Sequence, residues 1–544
     1  MQNWRKLTTY FNDLASCHCV GPLMADQWRC VTLEGGKSCP SIWTLLLMVL
    51  ASFVTSCQQP SGTEEVADPK PNILFIMADD HTTQAISAYG GHLAEYAQTT
   101  NIDQLAEEGM RFDQVFCTNA ICSPSRASVL TGKYSHKNGV RKLRDVFDGS
   151  QWTVQKAFQA NGYQTALYGK WHLISRPVGF DDYKVLPVQG RYQDPQFYTP
   201  GNDSLVTYEG WSTDVITDMS IDFLDNRTRD KPFLLMTHYK TTHDPWASRP
   251  PYDTLWQHTD LPAPPNLLDQ YEERSAAAHR TTLKLEMINQ GTFPHQRLEG
   301  VDDLTQRQFI YQQYIKSFLR CGRVLDENVG KLMTYLKQEG LYDNTIIIYT
   351  ADQGHFLGEH GFFSKRFMYE EALQMPLIIR YPPWIASGSI NNDIILNVDY
   401  APTLLEMAGL EVPGEVQGRS FHSQLHGQTP EDWRQAMYYH YWQHILHRDV
   451  TAHIGIRTKE HKLIFYYGLP LDVTDKAATP PEWEMFDLEN DPEEMRNVYN
   501  QEGYLEVTAR LKDELKALQV ALDDEGLAYP EMVEVQREHF MLSN

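Results

Sequence analysis

The sequence predicts an α/β protein: a mostly parallel sheet flanked by helices on both faces, with a smaller C-terminal subdomain containing an antiparallel sheet. Three observations support this. Short apolar runs recur between Asn72 and Arg380, each stopping abruptly at polar residues, as strands buried on both faces do. Amphipathic stretches long enough for crossover helices lie between them. From about Tyr438 the pattern changes to closely spaced strands and one amphipathic segment, which reads as hairpins followed by a helix.

The first 57 of the 544 residues stand apart. Ser41 to Ser56 carries no charge and leads through Val54-Thr55-Ser56 to Cys57. About sixteen such residues are too few for a membrane span and suit a signal-peptide core. The small residues before Cys57 look like a bacterial lipobox, so residues 1–57 are expected to be a leader with Cys57 lipidated. That places the mature chain at a membrane of a Gram-negative bacterium, in the periplasm or at the outer membrane or cell surface. Residues 58–71, polar and Pro-bearing, read as a flexible tether.

The main body is expected over 72–437. Its strands are Asn72 to Met77, Thr165 to Tyr168, Phe233 to Thr237, Thr345 to Thr350 and Leu377 to Arg380. Its helices are Ile102 to Gly109, Thr153 to Asn161, Asp214 to Leu224 and Gln308 to Glu339. Residues 253–300 break the alternation and read as an insertion at the pocket rim, with a polar helical segment around Glu272 to Asn289. The C-terminal subdomain, 438–544, is expected to hold a hairpin over His453 to Tyr467, a strand at Trp483 to Leu488 and a helix over Tyr504 to Leu522. Open parallel sheets bind ligands beyond the carboxyl ends of their strands. Asp79, Asp80, His172, His243 and Asp352 each follow a predicted strand end, so all five could face one pocket.

A net charge of -24 argues against a nucleic-acid partner, which needs a basic stripe. An anion site must therefore be a local positive pocket in a negative body. Of eight cysteines, only Cys117, Cys122 and Cys321 lie beyond Cys57; Cys117 and Cys321 could pair or stay free. Asp79 and Asp80, with Asp352 and Gln353 at another strand end, offer oxygen ligands only, which suit Ca²⁺ or Mg²⁺.

Residues 122 to 132 read Cys-Ser-Pro-Ser-Arg-Ala-Ser-Val-Leu-Thr-Gly. A reactive thiol needs a cationic neighbour or a helix N-terminus, not a fixed Pro, Ser and Arg behind it. The run resembles the signature of the type I sulfatases, members of the alkaline phosphatase-like superfamily. Gly162-Tyr163-Gln164-Thr165-Ala166-Leu167-Tyr168-Gly169-Lys170-Trp171-His172 resembles their second signature. The likeness spans roughly Asn72 to Leu522.

The resemblance implies that a formylglycine-generating enzyme oxidises Cys122 to Cα-formylglycine (3-oxoalanine). Its hydrate would attack sulfur with one hydroxyl and expel sulfate with the other. By the same resemblance Arg126 orients that diol, Lys170 and Lys365 bind the sulfate, His172 contacts the diol and His243 is the general acid. The metal set would be Asp79, Asp80, Asp352, Gln353 and residue 122; many members carry Asn or His where this chain has Gln353. His81, Tyr134, His136, His355, His360 and Arg366 lie near these motifs and are candidate sugar contacts. The implied activity is removal of sulfate from a sulfated carbohydrate. Two rivals stay open: a phosphodiesterase or phosphonate monoester hydrolase of the same superfamily, and a glycan-binding lipoprotein whose cysteine is never oxidised.

Overall fold

The computed structural model describes residues 70–540. The leader, the Cys57 junction and residues 58–69 of the tether lie outside the described residues. Among the described residues, no helix is long and apolar enough to cross a membrane.

The main sheet contains β1 (Asn72–Asp79), β2 (Met110–Phe112), β3 (Gln164–Lys170), β4 (Asp182–Leu186), β5 (Gln196–Thr199), β6 (Asn202–Thr207), β7 (Phe233–Thr242), β8 (Thr345–Ala351), β9 (Leu377–Arg380) and β10 (Ser389–Asn391). The ten strands are ordered β10-β2-β9-β8-β1-β7-β3-β4-β5-β6. The five strands from β8 to β4 run parallel. β1 is buried along its whole length and divides its side chains by alternation, the period-2 rule for strands. Ile73, Phe75 and Met77 join one apolar layer, while Leu74, Ile76 and Ala78 join the other.

The longer helices are α1 (Thr100–Glu108), α2 (Cys122–Thr131), α3 (Val154–Ala160), α4 (Ser212–Asn226), α5 (Asp303–Gln338), α6 (Tyr400–Met407), α7 (Leu505–Ala521) and α8 (Pro530–Phe540). Ile102 and Leu105 of α1, Ile216 of α4, and Val329 and Leu332 of α5 cover the face bearing Leu74. Val129 of α2, Phe158 of α3 and Leu404 of α6 cover the face bearing Phe75. The 36-residue α5 starts where the Asp302 side chain accepts the Thr305 amide, a capping contact that satisfies one free donor of the first turn.

A four-stranded antiparallel sheet follows: β11 (Ala436–Tyr441), β12 (His453–Thr458), β13 (His461–Tyr466) and β14 (Glu482–Asp487). Its apolar side chains join the same core as Phe75, and the boundary expected at residue 438 falls inside β11.

Four expectations need correction or completion. Leu377 to Arg380 was expected in the parallel set; β9 runs antiparallel to β8 and β2. The segment joining β8 to β9 holds a small hairpin, Phe356–Leu357 with Phe363–Ser364, a single turn at Glu359–Gly361 and a four-residue helix, Glu370–Leu373, but no crossover helix, so the chain turns back on the edge it left. The polar segment around Glu272 to Asn289 forms only the short helix Ala276–Arg280 and a turn at Leu285–Met287. Strands β4 to β6 went unread because they are partly exposed and polar. Cys117 and Cys321 remain free thiols, both buried.

Candidate active site

β8, β1, β7 and β3 are neighbours, and their carboxyl ends deliver the site. Asp79 closes β1, Asp352 follows β8, His243 follows β7, and Lys170 closes β3 with His172 two residues on. Asp80 turns away at φ +72°. Cys122 is the first residue of α2, and all ten residues of that helix are buried. Its thiol therefore sits where the helix N-terminus concentrates partial positive charge. Cys122 Sγ lies 3.4 Å from Asp79 Oδ1 and 3.9 Å from Gln353 Nε2.

Three buried cations neutralise three buried carboxylates. Arg126 donates from Nε to Asp352 Oδ2 at 2.9 Å and from Nη1 to the Lys170 carbonyl at 2.6 Å. Lys170 donates to Asp79 and also to Gln189 Oε1 at 2.6 Å. Lys365 donates to Asp80. His243 places Nδ1 3.0 Å from Asp244 Oδ1 and Nε2 3.9 Å from Asp80 Oδ2. Tyr192 fixes its backbone through a 2.6 Å hydrogen bond to the His243 carbonyl.

These contacts set the charge states. Burial opposes ionisation of Asp79, but Lys170, His243 and Arg126 outweigh it and hold the carboxyl well below its usual range. Asp80 is lowered too, burial yielding to Lys365, His355 and His243. Asp352 is raised, because burial, helped by Asp79 and Asp80, exceeds the pull of Arg126. Burial, reinforced by Lys170, keeps the His172 imidazole neutral, far below its ordinary value. His243 goes the other way: against burial, Asp244 and Asp79 push it up to about 9.

The carboxylates of Asp79, Asp80 and Asp352 converge within 4.8 Å of one another, and Asp79 forms a similar group with Cys122 and His243. Gln353 Oε1 is buried without a hydrogen-bond partner while its Nε2 donates to Asp80. A buried acceptor left unsatisfied costs about 1–3 kcal/mol. The three carboxylates make an all-oxygen donor set, which fits Ca²⁺ or Mg²⁺, and turning the Gln353 amide over would bring its oxygen to the side that Nε2 now faces.

Cys122, Asp80, His243, Lys365, His355 and Arg366 line one cavity of about 190 Å³. His172 opens instead on an adjoining cleft of about 340 Å³, beside Trp171 and Arg176. His355 stacks on Phe318, centroids 5.6 Å apart, and accepts the Ser364 amide at Nε2. The other sugar-contact candidates lie elsewhere. His81 bonds to the Tyr349 hydroxyl deep in the core. His136 holds Asp524 at 3.3 Å and the Leu522 carbonyl at 2.8 Å. His360 is enclosed by Asp269 and Arg274, and Tyr134 packs against Tyr438. Nearness to a motif in sequence did not fix the side of the turn to which these side chains point. Sequence reasoning missed Gln189, Asp244, Ser364 and Arg448, which also line the cavity. Asp244 follows His243 directly and could have been read as its partner; Gln189 and Arg448 carry no local signal.

A family model described as Sulfatase matches residues 71–410, and one described as N-sulphoglucosamine sulphohydrolase, C-terminal, matches residues 358–521. The chain belongs to the sulfatase family. This sulfatase is 42% identical over 534 residues to an N-acetylglucosamine-6-O-sulfatase of Bacteroides thetaiotaomicron, covering 90% of this chain and 92% of the relative. A solved structure described as bound to its substrate D-glucosamine-2-N,6-O-disulfate superposes with TM-score 0.78 at 40% identity, over 85% of this chain and 99% of the other. The phosphonate monoester hydrolase of Agrobacterium radiobacter shares the fold at TM-score 0.66 and 21% identity, over 85% and 97% of the two chains.

Proposed function

We propose that this sulfatase removes sulfate from a sulfated carbohydrate, with 6-O-sulfated glucosamine units as the substrate class, using formylglycine derived from Cys122 and a bound Ca²⁺ or Mg²⁺. The observation that carries the reading is the meeting of Cys122, at the N-terminus of α2, with Asp79 and the Lys170, Lys365 and Arg126 cations. The similarity to an N-acetylglucosamine-6-O-sulfatase supports the sugar class. The cavity of about 190 Å³ is smaller than the usual ~300–1,000 Å³ ligand pocket, which suits a single sugar residue.

The Cys122 sulfur marks where the formylglycine oxygens would stand. Oxidised and hydrated, residue 122 would present one hydroxyl to sulfur and use the other to release sulfate as the aldehyde re-forms. A cation would be held by Asp79, Asp80, Asp352 and Gln353 and would supply charge stabilisation to a bound sulfate. Lys170 and Lys365 neutralise charge from two sides, a preorganised electrostatic effect. Arg126, locked by Asp352 and the Lys170 carbonyl, orients the diol. The neutral His172, whose buried Nδ1 has no hydrogen-bond partner, takes the role of accepting the diol's proton from its place in the family signature. His243, held protonated by Asp244, can donate to the leaving sugar oxygen.

Mass spectrometry of the peptide containing Cys122 tests the nucleophile, since conversion lowers its mass by about 18 Da. An unconverted cysteine with no turnover of N-acetylglucosamine 6-sulfate would refute the reading and favour a glycan-binding lipoprotein. Faster single turnover of a phosphate diester than of a sulfate ester would favour the phosphonate and phosphodiester rival. The anchor on Cys57 and a periplasmic or outer-membrane location are part of the proposal. They rest on the charge-free run before Cys57, and equal fatty-acid labelling of wild type and Cys57→Ala would refute them.

A further inference from the structure

We propose that Arg366 and Arg448 form a second anion subsite at the wall of the active-site cavity, receiving an additional sulfate or carboxylate of the glycan whose scissile sulfate lies at Cys122. The inference rests on the glycan-sulfatase reading above.

The two arginines differ from the other cations of the site. Arg126, Lys170 and Lys365 each hold a carboxylate. Arg366 and Arg448 line the same cavity but hold neutral partners. Arg366 donates from Nη1 to Ser364 Oγ at 2.8 Å, and its Nε has no partner although the residue is only 8% exposed. Arg448 donates from Nη2 to Thr292 Oγ1 at 3.0 Å and lies 4.9 Å over the Phe363 ring. Its backbone carbonyl is held by the Thr282 amide at 3.0 Å and the Thr281 hydroxyl at 2.8 Å, so the insertion braces this wall from behind. Asp244, the nearby carboxylate on the wall, is engaged by His243 Nδ1 at 3.0 Å.

The surroundings concentrate the charge further. Burial and the nearby Arg366, Arg144, Arg448 and Lys476 together drive His447 down to about 4. Arg448 is itself lowered, by burial and then by Arg366. In a chain of net charge -24 this is a local positive field offset by Asp244, which His243 already engages. Arg366 also holds φ +109°, a strained conformation for a non-glycine residue. Like charges held together cost free energy that an incoming anion relieves, and arginine's planar fork fits sulfate or carboxylate oxygens.

The scissile sulfate is not that anion. Lys365 donates to Asp80 of the carboxylate cluster beside Cys122, whereas Arg448 donates to Thr292 of the insertion. Arg448 therefore addresses the sugar side of the cavity, not the sulfur position.

The test compares kcat/KM for N-acetylglucosamine 6-sulfate, D-glucosamine 2-N,6-O-disulfate and a disaccharide with an unsaturated uronic acid linked to N-acetylglucosamine 6-sulfate. Wild type is expected to prefer one doubly anionic substrate by about tenfold or more, the worth of a charged hydrogen bond. That preference should fall toward unity in Arg448→Met and partly survive in Arg448→Lys, with thermal melting confirming that both variants fold. Preference for the disulfate assigns the second anion to the same sugar, and preference for the uronate assigns it to the neighbour; either supports the subsite. No preference in wild type, or equal losses on singly and doubly anionic substrates in Arg448→Met, overturns it. If no sulfated sugar is turned over, the function fails separately, and calorimetry on Cys122→Ala decides the subsite. Tighter binding of the disulfate than of the monosulfate, lost on adding Arg448→Met, upholds it; equal binding overturns it.

Discussion

Replacing Gly169 by alanine should destabilise the fold and displace Lys170 at once. Gly169 has φ +110°, and an added Cβ would stand 1.9 Å from the His238 carbonyl oxygen and 3.2 Å from Ile216 Cδ1. The obstructing atom is backbone of β7, paired with Gly169 in the sheet, so it cannot swing aside as a side chain would. The forced φ costs about 1–3 kcal/mol, and the steric displacement adds about 1–3 kcal/mol, as overpacking does. The sum is about 2–6 kcal/mol. Gly162→Ala is the internal control, because Gly162 has φ +86° but no atom within 4 Å of the added Cβ. It should pay the conformational cost alone, about 1 kcal/mol. Equilibrium urea unfolding of the two variants beside wild type measures the difference. Turnover of a sulfated sugar should also fall in folded Gly169→Ala and not in Gly162→Ala, because Lys170 follows Gly169 directly. Equal midpoint shifts in the two variants, or a Gly169→Ala shift within about 0.5 kcal/mol of wild type, would refute the argument.

Three more outcomes are expected. His243→Ala should cost roughly 10²–10⁴ in turnover on a sulfated sugar and much less on an activated aryl sulfate, because acid catalysis matters most for a poor leaving group; equal losses would assign His243 to sulfate binding. Prolonged chelation should abolish activity and added Ca²⁺ or Mg²⁺ restore it, with Gln353→Ala needing more cation for half-recovery; full activity of metal-free protein would refute the donor set. Asp214 on α4 is pulled down to about 2, burial being outweighed by Arg249, Lys331 and Asn328. Its folded value lies below its unfolded one, so its stabilisation is complete above about pH 4 and is lost as pH falls through about 2. The side chain is 23% exposed and its cationic partners are partly solvated, so Asp214→Asn should cost only about 1 kcal/mol at pH 7. That gap should close toward pH 2, and urea midpoints with a pH-independent gap would contradict it.

The residues that were legible in sequence share one property. Asp79, Lys170 and Asp352 sit where an apolar run stops, and the end of a buried strand is a local event that hydrophobicity marks; His243 lies further on, past the polar half of β7. The Cys122 run was legible because its residue types exceed what packing alone requires. Gln353 was readable as an oxygen donor, but its orphaned Oε1 shows only in the folded site. His81, His136 and His360 show the limit: each lies within a few residues of a motif, and each is turned into the protein body.

By itself the sequence determined the α/β class, the strand ends that carry the chemistry and the family signatures, because these depend on residue type and short-range periodicity. Tertiary structure alone decided the reversal of β9, the strands β4 to β6, the pairing of Lys170 with Gln189 and the placing of Arg366 and Arg448 on one cavity. Those outcomes depend on which segments pack together, and a one-dimensional pattern of apolar and polar residues holds no record of chain direction or of tertiary partners.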